Sequence, residues 1–246
     1  MSDLRETLRR LARRFVACDL MVPREELVCA EDQRDAEQKL EAYPKFDVIP
    51  IRQGDRLVSF LERGQSKPRT IQVQHVIGSE TPIIDLAESL CNRPFVFVVG
   101  RHEVVGLVHF SDLKDPIVKL PYFVLLEGVE RQVADSVKNL AQEEILPQFI
   151  RDTERLTKIR EKMNQLKAND ANRDWVTILY FREILEAACH LGKLSLKVSE
   201  IEDLSAVRTR VAHAATEELV EKHSDVQRLR NVGRLCSSIL FSERAA

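Results

Sequence analysis

The first half of this chain states one pattern twice, and that repetition limits its fold more than any other feature. Residues 46–51 form a short apolar run. Gln53-Gly54-Asp55 has turn chemistry, and residues 56–61 return. Residues 95–99, the turn Gly100-Arg101-His102-Glu103 and residues 104–110 follow the same plan. A short apolar strand and a helix precede each hairpin, and another helix follows it. The helices are expected over 31–42 and 81–90, the second with Thr81 as N-cap and Pro82 at the first helical position. The unbroken apolar run at 95–99 suits a strand covered on both faces. Two such units, residues 18–65 and 73–115, are expected to pack as a pseudo-dimer with a cleft between them.

Gly106-Leu107-Val108-His109-Phe110-Ser111-Asp112 closes the second unit. Together with the repeat, it resembles a tandem pair of CBS domains. Members that bind adenosine compounds carry Gly, two apolar residues, a hydroxyl residue, two residues and Asp. Gly106 and Asp112 match, while His109 takes the hydroxyl position. The first unit holds Ser59, Glu62 and Gln65 at the corresponding places, and its Phe46–Ile51 strand resembles the one that meets adenine in the family. The resemblance implies one ligand site, lined by Thr81, Pro94, Phe95, His109, Ser111 and Asp112. It also implies an adenine nucleotide (AMP, ADP or ATP) or related adenosine compound as regulatory ligand. The residues alone allow a plainer reading, in which Ser111-Asp112 caps a helix and the helix dipole favours the carboxylate.

Beyond residue 115 the period becomes helical. Leu120, Phe123, Val124, Leu126, Val129, Val133, Val137 and Leu140 mark a long amphipathic helix that leaves almost no linker after the repeats. So short a joint would couple a shape change in the cleft to the helices. Further helices are expected over 142–167, over 174–190 capped by Asp174, over 201–220 with Ser199 and Glu202 as a capping box, and over 225–241. Gly192 suits a left-handed helix end, and Asn169-Asp170-Ala171-Asn172 is a loop. Leu4, Leu8, Leu11 and Phe15 give a helix within residues 1–17.

One segment of the helical half, residues 204–215, places Arg208 and His213 among Val207, Val211, Ala214 and Ala215. A histidine titrates near neutrality and can take the proton of a ribose 2′-hydroxyl, while an arginine can stabilise a phosphorane. On an ideal helix the two lie roughly 140° apart, whereas Arg210 and His213 share a face. Two copies facing each other across a dimer would make a better clamp than one helix. The alternative is a solvated Arg208 and a satisfied His213 beside a core. Arg, four residues, then His, in an apolar helix closing a small helical domain, resembles the HEPN family. Its members are all-α and usually dimeric; many cleave RNA without metal, and others only dimerise or bind. The family's polar residue after the Arg and Pro after the His are here Thr209 and Ala214. The run Asp112-Leu113-Lys114, followed by an apolar helix containing Glu127, resembles fusions of a CBS pair to a HEPN domain.

The expected fold is therefore α+β: a CBS pair over 18–115, then an all-α HEPN-type bundle over 116–246. The resemblance implies nucleotide control of a dimeric, metal-independent ribonuclease with Arg208 and His213 as catalytic pair. The alternative is a non-catalytic sensor whose helices dimerise or dock a partner. Composition adds limits. With 8 Gly and no Gly-rich loop before Lys-Ser/Thr, a P-loop is excluded. A net charge of −2 gives no overall pull on nucleic acid, so RNA contact needs a local patch such as Arg151–Lys167 or Arg228–Arg234. Cys18, Cys29, Cys91, Cys189 and Cys236 are scattered without metal-type spacing, which points to a reducing cytoplasm and no metal site. No apolar run approaches a membrane span.

Overall fold

The structure, a computed structural model, describes residues 2–138, 145–168, 174–213 and 217–241, apart from the side chains at 2, 3 and 167. Leu140, the 169–172 loop, Ala214 and Ala215 fall outside the described residues. The fold is mixed α+β, in two units. One comprises Ala12–Pro121 and Glu218–Arg230; the other comprises Met1–Leu11, Tyr122–Glu217 and Asn231–Ala246.

The first of these holds the repeats and the strands. Strand β1 is Val22–Pro23, β2 Val48–Gln53, β3 Arg56–Glu62, β4 Arg69–Thr70, β5 Val76–Gly78, β6 Phe95–Gly100 and β7 Glu103–His109. Helix α2, Gln33–Ala42, precedes the first hairpin, and α3, Ile83–Leu90, precedes the second. The two hairpins are the same object. Ile51 faces Ser59 in one and Val98 faces Gly106 in the other, and each has its register shift one residue later, at Ile51/Arg52 and at Val98/Val99. The left-handed turn position is Gly54 in one (φ +59°) and Arg101 in the other (φ +56°). A parallel pairing of Ile77 with Val98 is matched by a bridge of Ala30 with Ile51.

The repeats exchange their leading strands. β1, which opens the first repeat, pairs antiparallel with β7 of the second, Pro23 opposite Gly106. β4, which opens the second, pairs with β3 of the first, Thr70 opposite Ser59. The sheet orders are thus β1-β7-β6-β5 and β2-β3-β4. Gly106 is required for this crossing: a Cβ there would lie 2.6 Å from Met21 Sδ and 2.6 Å from the Val22 carbonyl oxygen. Behind the sheets, Phe60, Phe95 and Phe97 pack edge-on or tilted with centroids 5.4–5.7 Å apart, joined by Val48, Leu57, Val104 and Leu107. Ala36 and Leu40 of α2 bury against Ile49, Ile51 and Leu61. The later stretch 218–230 completes this unit. The His223 ring sits 2.6 Å from the Leu90 carbonyl oxygen at the end of α3, and Lys114 pairs with Glu218 at 3.0 Å.

The helical unit draws on α1 (Ser2–Ala12), α4 (Pro116–Val137), α5 (Leu146–Phe149), α6 (Thr153–Ala168), α7 (Phe181–His190), α8 (Val198–Ala212) and α9 (Ser224–Phe241). Gly128 brings α1, α4 and α9 together: a Cβ there would meet Leu8 at 2.8 Å and Leu240 at 3.3 Å. Arg9 stands over the Phe241 ring at 4.7 Å. Gly192 adopts φ +66° after α7, as its place in the chain requires.

Four local expectations are corrected. The helix expected over 142–167 is two helices, because Asp152 begins a new one by accepting the amides of Glu154 and Arg155. The helix expected from Asp174 to His190 is also divided. Asp174 caps only a single tight turn, Trp175–Ile178, and the Glu183 carboxylate caps α7 from the Tyr180 amide. Arg155 locks this break: it holds Glu183 through two hydrogen bonds of 2.7 and 2.8 Å, takes the Ile178 carbonyl, and lies 3.8 Å above the Tyr180 ring. In α8 the capping carboxylate is Glu200, which accepts the Lys197 amide, rather than Glu202, and the helix ends at Ala212 rather than near 220. In α3 the N-cap is Pro82; the Thr81 amide instead donates to the Gly78 carbonyl.

Candidate functional site

The exchange of strands sets what lies across the cleft from Asp112. A cavity of about 530 Å³ opens in the α/β unit between the end of β7 and the start of β2. Val22, Val28, Phe46, Val48, Pro50, Leu107 and Phe110 give it apolar walls, and Glu26, Lys45, Asp47, His109, Ser111 and Asp112 give it polar edges. The volume falls within the range of small-molecule sites, and so does the mixture of apolar wall with a few polar groups.

At its rim the chain turns through a short 3-10 helix, Phe110–Lys114. Asp112 caps that turn, its carboxylate accepting the His109 amide at 2.7 Å. Burial raises the Asp112 carboxyl above its ordinary value; the His109 amide and ring pull the other way and are outweighed. The His109 ring spans the cleft. Its Nδ1 accepts from the Ser111 amide at 3.2 Å and lies 2.7 Å from the Ser111 hydroxyl, so Nε2 carries the proton and donates it to Asp47 Oδ2 at 2.9 Å. One repeat is thereby tied to the other across the opening.

Of the six ligand residues named from the sequence, the structure brings together His109, Ser111 and Asp112. Thr81, Pro94 and Phe95 lie elsewhere. Phe95 is in the aromatic core, the Pro94 carbonyl accepts the Phe110 amide, and the Thr81 carbonyl accepts the Ala17 amide. The reason is the pseudo-symmetry: Pro94 and Phe95 hold the positions in the second repeat that Asp47 and Val48 hold in the first. They therefore belong to the counterpart cleft. In that counterpart His75, at the position of Val28, is buried edge-on against Phe60, and Arg69 stands over the same ring at 5.7 Å. Burial, then Arg69 and Arg93, hold the His75 imidazole below its ordinary value. Lys45 and Asp47 were missed from the sequence, although Asp47 stands within the strand motif already singled out there.

The helical unit has a second concavity, of about 380 Å³, lined by Glu130, Tyr180, Arg182, Ser205, Arg208, Thr209 and His213 among others. Arg208 and His213 thus share one surface, but not one helix, since His213 is the first residue past α8. Arg208 Nε donates to Glu130 at 3.0 Å, Nη2 reaches Glu127 at 3.5 Å, and the guanidinium lies 5.7 Å from the Phe123 ring centre. The Ser205 hydroxyl is buried there and lacks a hydrogen-bond partner among the described residues. Of the basic stretches, Arg155 is committed to Glu183, Lys158 pairs with Glu154, and Arg228 lies 3.8 Å from Asp225. No cluster of three metal-ligating side chains occurs among the described residues, and none of their helices is long and apolar enough to cross a membrane.

No family model matches the chain, and no curated protein does. Solved structures with a likeness include the CBS domain of a bacterial CNNM/CorC family Mg²⁺ transporter in complex with the inhibitor IGN95a. It is 19% identical, with a TM-score of 0.32, over 44% of this chain and 78% of that one. The CBS domain of a bacterial transporter of that family in complex with ATP is 18% identical, with a TM-score of 0.33, over 45% and 92%. Likenesses this loose leave the reading to the chain's own residues.

Proposed function

We propose that this chain is a nucleotide-sensing protein in which a CBS pair, residues 18–115, takes one adenosine-type ligand and a HEPN-like helical domain, residues 116–246, answers by dimerising or docking a partner. The observation that carries this is the cleft. It sets Asp112 and Ser111 of one repeat opposite the Phe46–Pro50 strand of the other, an apolar wall for a base facing a carboxylate for ribose hydroxyls. The buried His75 ring, at the counterpart of Val28, supports a single site. The start of α4 at Pro116, a few residues after Asp112, supports transmission, because the chain leaves the cleft as helix. Calorimetric titration of the full chain with adenosine, AMP, ADP and ATP tests the reading, beside Asp112→Asn. Binding by wild type that the variant weakens is expected; no heat from any of the four ends it.

The helical half is read as non-catalytic because Arg208 is held by Glu130 and Glu127, which already neutralise the charge a phosphorane would need. A second reading, a metal-independent ribonuclease, is favoured by one observation: Arg208, His213 and the Ser205 hydroxyl, which lacks a partner among the described residues, line a single concavity. Incubation with mixed RNA in EDTA, beside His213→Ala, decides between them. Cleavage by wild type alone establishes the ribonuclease, and cleavage by neither leaves the sensor.

A further inference from the structure

We infer that the Asp112 cleft selects an adenosine-type ligand that carries no phosphate, and discriminates against its phosphorylated forms. The inference rests on the nucleoside reading above and concerns charge alone. Among the described residues lining the cleft, Glu26, Asp47 and Asp112 are carboxylates, and Lys45 is the one permanent cation. Like charges set beside apolar walls repel more than they would in bulk water, because the walls lower the local dielectric.

The nearby donors that would receive a phosphate are already committed. The His109 amide donates to Asp112, and the Ser111 amide donates to the His109 ring. That ring in turn is engaged with Asp47 at 2.9 Å, so it is turned toward a carboxylate rather than toward an incoming anion. The next cations outward are also engaged. Arg63 donates to the carbonyls of Leu40, Tyr43 and Phe46, and Lys114 pairs with Glu218. A neutral nucleoside has no conflict here: its base meets Phe46, Val48 and Leu107, and its hydroxyls donate to carboxylates.

The test is calorimetry on the full chain in EDTA, with adenosine and ATP as probes at two salt concentrations. Adenosine is expected to bind roughly tenfold or more tightly than ATP. ATP affinity should rise with added salt, because screening relieves repulsion, while adenosine affinity stays level. Asp47→Asn should narrow the ratio by strengthening ATP. ATP binding as tight as adenosine, or weakening with salt, overturns the charge inference and leaves the nucleoside reading standing. Binding of neither probe removes that reading and this inference with it.

Discussion

Single residues show where this chain departs from its own repeat. Arg101 holds the left-handed turn position that its counterpart Gly54 fills with glycine. A side chain there is strained by about 1 kcal/mol, so Arg101→Gly is expected to stabilise the protein by a few tenths to about 1 kcal/mol, read from denaturant midpoints. Asp112 gives a pH signature. An acid whose folded pKa lies above its unfolded value holds its proton more tightly in the fold. Its favourable contribution is present at low pH and is lost as pH rises through the folded pKa. Asp112→Asn keeps an acceptor for the His109 amide but has no charge to bury. The variant should therefore gain stability relative to wild type as pH rises above the ordinary carboxylate value of about 4, and an unchanged difference would show that burial does not raise the Asp112 carboxyl. The cap role of Asp112 was legible in the sequence, because a carboxylate at the start of a turn declares itself locally. Its neighbours across the cleft were not: Asp47 and Lys45 reach it through a tertiary exchange that no local pattern encodes.

At the scale of elements, both hairpins, the helices before them and the last helix could be read from period and turn residues. Reading failed where side chains compete with helix propensity. Asp152, Glu183 and Glu200 each cap a helix from a position that period alone treats as ordinary surface. The Trp175–Ile178 turn stands apart from α7 because Arg155 binds both the Ile178 carbonyl and Glu183, a contact invisible in one dimension. The exchanged strands offer the sharpest test at this scale. Gly106→Ala forces a Cβ onto the Val22 carbonyl oxygen and Met21. It should cost about 1–3 kcal/mol and quicken amide exchange along β1 and its partner in β7; a silent substitution would mean that β1 does not lie there.

For the whole molecule, each unit is built from pieces of chain that are not contiguous. The α/β unit needs residues 218–230, where His223 meets the Leu90 carbonyl and lies 5.2 Å from the Phe110 ring, and where Arg230 lies 3.9 Å from Glu88. A protein ending at residue 121 would lose that covering. It is expected to unfold at a lower denaturant concentration than the same segment in the full chain, by about 1–2 kcal/mol, and a peptide of residues 218–230 should restore part of the loss. Equal midpoints would show that the later stretch contributes nothing. This arrangement was hidden from sequence reading, which assigns neighbours by order along the chain.

The strand exchange also has a consequence in time. A chain emerging from the ribosome completes Val22 long before Leu107, yet the two are paired in the finished sheet. The opening strand must therefore wait, unpaired, while both hairpins are made, and closing so long a loop is slow. Neither repeat then finishes a sheet alone, because each carries the other's edge.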